Sequence, residues 1–222
     1  MKQAPAQFRF AALATDVVVL GFHDGELHGL VSDVDRPPHY VGIPGFLGGM
    51  VTESETARAA CERILLEKGG LSDVYVEQLY TFSDVKRDKR NRVVSVAYLC
   101  LVRPDTVATY SHPSAYFMPV KKMKKLAYDH NEMLVVAVAR LQGKLSYTNI
   151  AQHVLPRHFT LSELQSVYEV ILKKDFDKRN FRKKILALNI VTDTGLVQEG
   201  VKNRPAALYK FSSQKLQEIS LL

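Results

Sequence analysis

The sequence predicts an α/β domain, a mixed sheet with flanking helices, followed by a smaller α+β domain. Two observations predict the division. Strand-like and helical segments interleave through the first two-thirds, whereas the last third carries helices and then two short apolar runs. Charge is also unevenly placed. Of the 222 residues, those up to Ala139 hold 16 Lys and Arg against 16 Asp and Glu, and the remainder hold 14 against 7. The whole excess of +7 therefore sits in the last third. A neutral unit joined to a basic one suits a division of labour in which the basic part faces a polyanion. The expected units are residues 1–142 and 143–222, with the boundary near Gln142–Lys144.

Composition excludes several classes. With 46% apolar and 24% charged residues, the chain has a globular balance and no disorder signature. The opening MKQAPAQFRF lacks the apolar stretch of a secretory leader. The apolar run Met133–Ala139 is seven residues, far short of a membrane span. Cys61 and Cys100 offer neither a disulfide framework nor zinc spacing, and the seven histidines are scattered. The expectation is a cytoplasmic protein with no metal, no cofactor and no membrane partner.

In the first unit, apolar or alternating runs at Ala14–Phe22, Leu27–Ser32, Val74–Phe82, Val93–Val102 and Ala115–Val120 read as strands. A helix is expected over Glu55–Lys68, entered from the glycine-rich segment Gly42–Gly49. Another is expected from His130, with Asp129 as its N-cap, to about Gly143. That second helix is apolar almost all the way round, which predicts burial between domains or protomers.

In the second unit, Ser146 is expected to cap a short helix reaching to about His153. Thr160 and Glu163 form a capping box, with Phe159 and Leu164 as its staple. Leu161, Leu164, Tyr168, Ile171 and Leu172 then recur at helical spacing. Asp177 is expected to cap a further helix through about Asn189, followed by apolar runs at Ile190–Thr192 and Ala206–Phe211. Helices followed by a β-hairpin is the order of a winged helix-turn-helix.

The helix after Asp177 reads DKRNFRKKILALNI. Phe181, Ile185 and Leu188 make one apolar stripe, and Arg179 and Lys183 lie on the opposite face. A recognition helix needs this arrangement: the stripe fixes it while arginine and asparagine reach base edges in the major groove. The candidate DNA contacts are Thr160, Lys178, Arg179, Asn180, Arg182 and Lys183, with Lys202, Asn203 and Arg204 at a hairpin tip braced by Pro205. Arginine and asparagine suit base readout, and the neighbouring lysines suit phosphates.

The stretch Gly49–Leu71 resembles the Nudix box, G, five residues, E, seven residues, REUxEExGU, where U is aliphatic. Gly49, Glu55, Arg63, Leu65, Glu67, Gly70 and Leu71 match it. Two helix carboxylates are replaced, by Ile64 and Lys68. Nudix hydrolases use those acids to hold a divalent cation beside a diphosphate and to activate water. A hard cation needs oxygen ligands, and Glu67 between a lysine and an arginine one turn away is a poor site. Arg63 and Glu67 can instead pair with one another across one helical turn. No catalytic residue is expected, so the chain reads as a non-enzyme. Lys68, where active relatives face metal, offers a replacement positive charge.

A degenerate Nudix domain joined to a winged helix resembles the Nudix-related transcriptional regulators, the NrtR family. The resemblance extends beyond the box to LAYDHNEM (126–133), LPRHFTLSELQSVYEVIL (155–172), DKRNFRKKI (177–185) and NRPAALYKF (203–211). It implies an α/β Nudix-like sandwich, a winged helix binding a palindromic double-stranded operator, and a homodimer. It also implies a repressor or activator of metabolic operons whose effector is ADP-ribose, in NAD metabolism, or a pentose derivative, in sugar metabolism. RDKRNRVVSVAY (87–98) also looks like family sequence, with arginines entering a strand near the presumed pocket. The candidate ligand contacts are thus Arg63, Glu67, Lys68, Asp84, Arg90, Arg92 and Tyr98, whereas Arg87 and Lys89 read as a solvated loop. An active Nudix hydrolase with a basic accessory domain is the alternative from another class, and an adaptor without either activity is a third.

Overall fold

The computed structural model describes residues 10–200 and 205–219. At its centre lies strand β1 (Ala12–His23), a β-branched run buried over most of its length. It pairs antiparallel with β2 (Glu26–Arg36) and parallel with β6 (Val93–Val102), with Ala12 opposite Val93 and Gly21 opposite Val102. The remaining strands are β3 (Tyr40–Gly45), β4 (Leu47–Met50), β5 (Tyr75–Phe82) and β7 (Tyr116–Pro119). The principal order is β3-β2-β1-β6-β5, with β4 on β1 and β7 on β2. A two-stranded sheet of β8 (Val191–Val197) and β9 (Ala207–Phe211) stands apart.

Because side chains alternate across a strand, the central sheet feeds two separate cores. Val17, Val19, Tyr98, Cys100 and Val102 face one side, where Cys61, Ile64 and Leu65 of helix α1 (Ala57–Gly69) cover them. Val18, Leu20, Ala97, Leu99 and Leu101 face the other side and meet Met133, Ala137 and Leu141 of helix α3 (His130–Tyr147). A short helix α2 (Pro104–Thr109) packs on β1. Thr56 caps α1 by accepting from the Ala59 amide at 3.1 Å, and Gly70, at φ 57°, ends it in the left-handed conformation that glycine adopts without strain.

The C-terminal unit is built on α4 (Leu161–Leu172) and α5 (Lys178–Ala187), then the β8–β9 hairpin. The predicted capping box is present: Thr160 accepts from the Glu163 amide at 3.1 Å, and Glu163 accepts from the Thr160 amide at 2.6 Å. Asp177 caps α5 through the Asn180 amide at 2.8 Å. Phe159 exchanges both backbone hydrogen bonds with Tyr209, tying the hairpin to the entry of α4. The core is continuous between the units. Leu141 and Leu145 of α3 join Leu164, Val167, Tyr168, Phe181 and Ile185 in one apolar cluster.

Three expectations need correction. Helix α3 does not stop near Gly143 but runs to Tyr147, so position 142/143 lies inside a continuous helix. Ser146 is consequently no cap; its hydroxyl donates to Gly143 within α3, and a 3-10 turn at Ile150–His153 follows. The glycine-rich segment before α1, absent from the expected strands, forms β3 and β4. Among the described residues no helix is long and apolar enough to cross a membrane.

Candidate effector cavity and nucleic-acid interface

A cavity of about 1020 Å³ opens beside β1, walled by β2, β4, the loop 83–92 and the start of α3. Its floor carries Asp16, the lone carboxylate of a mostly apolar strand. Asp16 Oδ2 accepts from Ser95 at 2.6 Å and from Arg87 at 3.0 Å. Burial opposes ionisation there, yet His130, Arg87 and Ser95 outweigh it and hold the carboxyl down at about 2. Gly48 closes the back: a Cβ at that position would lie 2.1 Å from Asp16 Oδ1, so only glycine fits.

Arg87 is where the sequence misleads most. Expected in solvent, it is 7% exposed and sits between two carboxylates. One bond reaches Asp16, and two more, both 2.8 Å, hold Asp129. An isolated carboxylate in a buried strand demands a cation, and that demand was the legible signal. Asp129 precedes α3 as expected, but its side chain makes no capping bond because Arg87 occupies it. The first helical residue, His130, accepts at Nδ1 from the Phe46 amide at 2.9 Å. A neutral imidazole so bonded carries its proton on Nε2, which lies 3.6 Å from Asp16 Oδ1 and has no hydrogen-bond partner among the described residues.

Of the seven predicted ligand residues, Lys68, Arg90 and Arg92 line the cavity. Lys68 donates to the Gly48 carbonyl at 2.5 Å. Desolvation of its ammonium, with Arg36 and Arg63 nearby, lowers its pKa. Arg90 is drawn to Asp88 at 2.8 Å and lies over the Tyr128 ring. The other four do not line it. Arg63 is turned to Glu55, at 2.7 Å, and to the Met50 carbonyl, bracing the loop before α1. That pairing, with the Thr52 amide, holds the Glu55 carboxyl at about 2. Glu67 pairs with Arg63 at 3.4 Å. Asp84 accepts from the Lys86 amide in a local turn, and Tyr98 is buried under α1 on the far face of the sheet. Sequence reasoning missed Asp16, Arg36, Tyr128 and His130 as lining residues.

The metal chemistry of the Nudix box does not fit these residues. Ile64 is fully buried in the apolar core, and the Lys68 ammonium approaches Gly49 from the same helix. Among the described residues no group of three or more His, Cys, Asp or Glu could hold a metal ion.

On the C-terminal unit, Phe181 and Ile185 are buried while Lys178, Arg179, Asn180, Lys183 and Lys184 are exposed. The outer face of α5 is therefore cationic from Lys178 to Lys184. Two predicted contacts differ. Thr160 is buried, its hydroxyl accepting the cap bond of α4. Arg182 is half-buried and donates to Ser162 at 3.0 Å, bracing α5 against α4. Lys202, Asn203 and Arg204 lie outside the described residues.

Family models match both halves: a NUDIX domain over residues 12–140 and an NrtR DNA-binding winged helix domain over residues 151–211. The chain is 32% identical over 209 residues to the ADPR responsive transcriptional repressor NtrR of Acinetobacter baylyi, covering 91% of this chain and 82% of that protein. The chain belongs to the NrtR family. Among solved structures, Shewanella oneidensis NrtR complexed with a 27mer DNA is 31% identical at a TM-score of 0.79, over 90% of this chain and 93% of that one. The NUDIX domain of the same Shewanella protein complexed with ADP ribose is 27% identical at a TM-score of 0.52, over 63% of this chain and 94% of that one. The Nudix sandwich and winged helix described above are thus the architecture of an NrtR-family regulator, and the regulator reading prevails over the hydrolase.

Proposed function

We propose that this NrtR-family protein is a repressor that binds operator DNA through α5 and is released when ADP-ribose fills the Nudix cavity. One observation carries the effector reading: Lys68, Arg36 and Arg92 line one cavity and lack a carboxylate partner among the described residues. Three cations bonded, among the described residues, only to backbone carbonyls suit a diphosphate without a metal ion. Tyr128 also lines the cavity, its ring between Arg90 and Tyr40. The ADP ribose bound by the Shewanella NUDIX domain and the ADPR-responsive character of the Acinetobacter relative favour this effector over a pentose derivative.

The Nudix half performs no hydrolysis on this reading, because Ile64 and Lys68 replace two carboxylates of the box. Residues 1–142 sense and residues 143–222 bind DNA, with α3 shared between them. The protein acts in the cytoplasm as a homodimer on a palindromic operator, since a two-fold dimer reads half-sites at fixed separation. Fluorescence anisotropy on a duplex selected by the protein from a random pool tests the proposal. Added ADP-ribose is expected to release the duplex, with no AMP formed in Mg²⁺. Undiminished DNA binding, or steady AMP release, would contradict it.

A further inference from the structure

Arg87 joins the cavity to the helix that carries the DNA-binding unit. Its side chain is 4% exposed and bonds both Asp16, on the cavity floor, and Asp129, the residue before α3. From there α3 runs 18 residues, about 27 Å at 1.5 Å each, into the second unit. Near its far end, Gln142 donates to the Ile171 carbonyl of α4 at 2.7 Å, and Leu145 is fully buried. The same end is held by Arg140 and Lys144 on Glu77 of β5. The fixed end is therefore amply bonded. At the cavity end, beside the His130–Phe46 bond at 2.9 Å and the packing of Met133 and Leu134, Arg87 shares one guanidinium between two carboxylates.

Resting on the functional reading above, we propose that the Arg87–Asp129 clasp is the point where effector occupancy is converted into the orientation of α3. Arg87 acts as a positioning residue. An anionic effector brings negative charge to the floor of the cavity and competes with Asp129 for the guanidinium. Asp129, once released, stands at the N-cap position, where its carboxylate can accept from a backbone amide of the first turn, as N-cap carboxylates do. The helix start then has two discrete arrangements. The effector shifts the balance because it binds the open one more tightly.

The test is the ratio of DNA affinities with and without saturating ADP-ribose, measured on full-length protein and the pool-selected duplex. The wild-type ratio is expected to be on the order of tenfold. Asp129→Asn is nearly isosteric and keeps the Arg87–Asp16 bond; its ratio should collapse towards one while its calorimetric ADP-ribose affinity is equal to or tighter than the wild-type value, because the competitor for the guanidinium is weakened. Arg87→Gln should also lose the ratio, with weaker ADP-ribose binding because the effector bonds this guanidinium, and Arg87→Lys should regain part of both, a rescue that mere destabilisation would not produce. If Arg87→Gln melts before assay, Asp129→Asn decides alone. Wild-type ratios in the variants overturn the clasp and leave the functional reading standing. A wild-type ratio of one overturns the functional reading itself.

Discussion

Acidification should loosen the seam between the two units through His153. The ring lies in the 3-10 turn after α3 and packs against Tyr75 of β5, with centroids 4.5 Å apart. Its Nε2 is buried without a partner among the described residues. Burial first, and then the charge of Arg103, depress its pKa from 6.5 to about 4. A histidine with a lower pKa folded than unfolded leaves the unfolded chain holding more protons between those two values. Stability is thus full above about pH 6.5 and falls progressively as pH drops towards 4. The displacement converts to a loss of about 3 kcal/mol at the acid end, at about 1.4 kcal/mol per pH unit. Urea denaturation from pH 7.5 to 4.5 measures it, before Asp16 begins to protonate. His153→Phe, which keeps the ring and removes the titration, should flatten the slope. Identical slopes in wild type and His153→Phe would refute the reasoning.

Further outcomes follow from the two sites. Arg179→Ala should relax sequence preference by about 1–3 kcal/mol in competition against mismatched duplexes, the cost of a bidentate base contact. Lys202→Ala, by contrast, should weaken all duplexes alike and lessen the salt slope by about one. If the two behave identically, the assignment of readout and positioning is wrong. Lys68→Glu should cost ADP-ribose about 1.5–3 kcal/mol of calorimetric binding energy, the range for a charged hydrogen bond, while a chelator changes nothing. Gly48→Ala should destabilise by about 1–3 kcal/mol in thermal melts, because Asp16, held by Ser95 and Arg87, cannot retreat from the added methyl.

What could be read from the sequence followed local periodicity. The ten-residue run Val93–Val102 is a strand with those bounds, and the helices after Thr160 and Asp177 begin where their caps predict, whereas the helix expected from Glu55 starts at Ala57. The apolar circumference of α3 correctly signalled burial on two sides, by the sheet and by α4, although Val135 remains 68% exposed. Periodicity failed where glycine and proline carry extended chain: β3 contains Gly42 and Pro44, and β4 is mostly Leu47, Gly48 and Gly49. It could not decide which face of β6 meets the cavity, so Tyr98 was expected there when the opposite parity applies. The Arg87 contacts span 71 residues to Asp16 and 42 to Asp129, and no local pattern encodes such pairings. Only the oddity of a carboxylate in ALATDVVVLGFH pointed to them.

Linkage offers the most direct test that one cavity governs the DNA-binding face. The affinity of ADP-ribose should be measured by calorimetry on the protein alone and on the protein saturated with its selected duplex. Thermodynamic reciprocity requires DNA to weaken ADP-ribose by the same factor by which ADP-ribose weakens DNA. Equal factors are the predicted result; an ADP-ribose affinity indifferent to bound DNA would contradict the account.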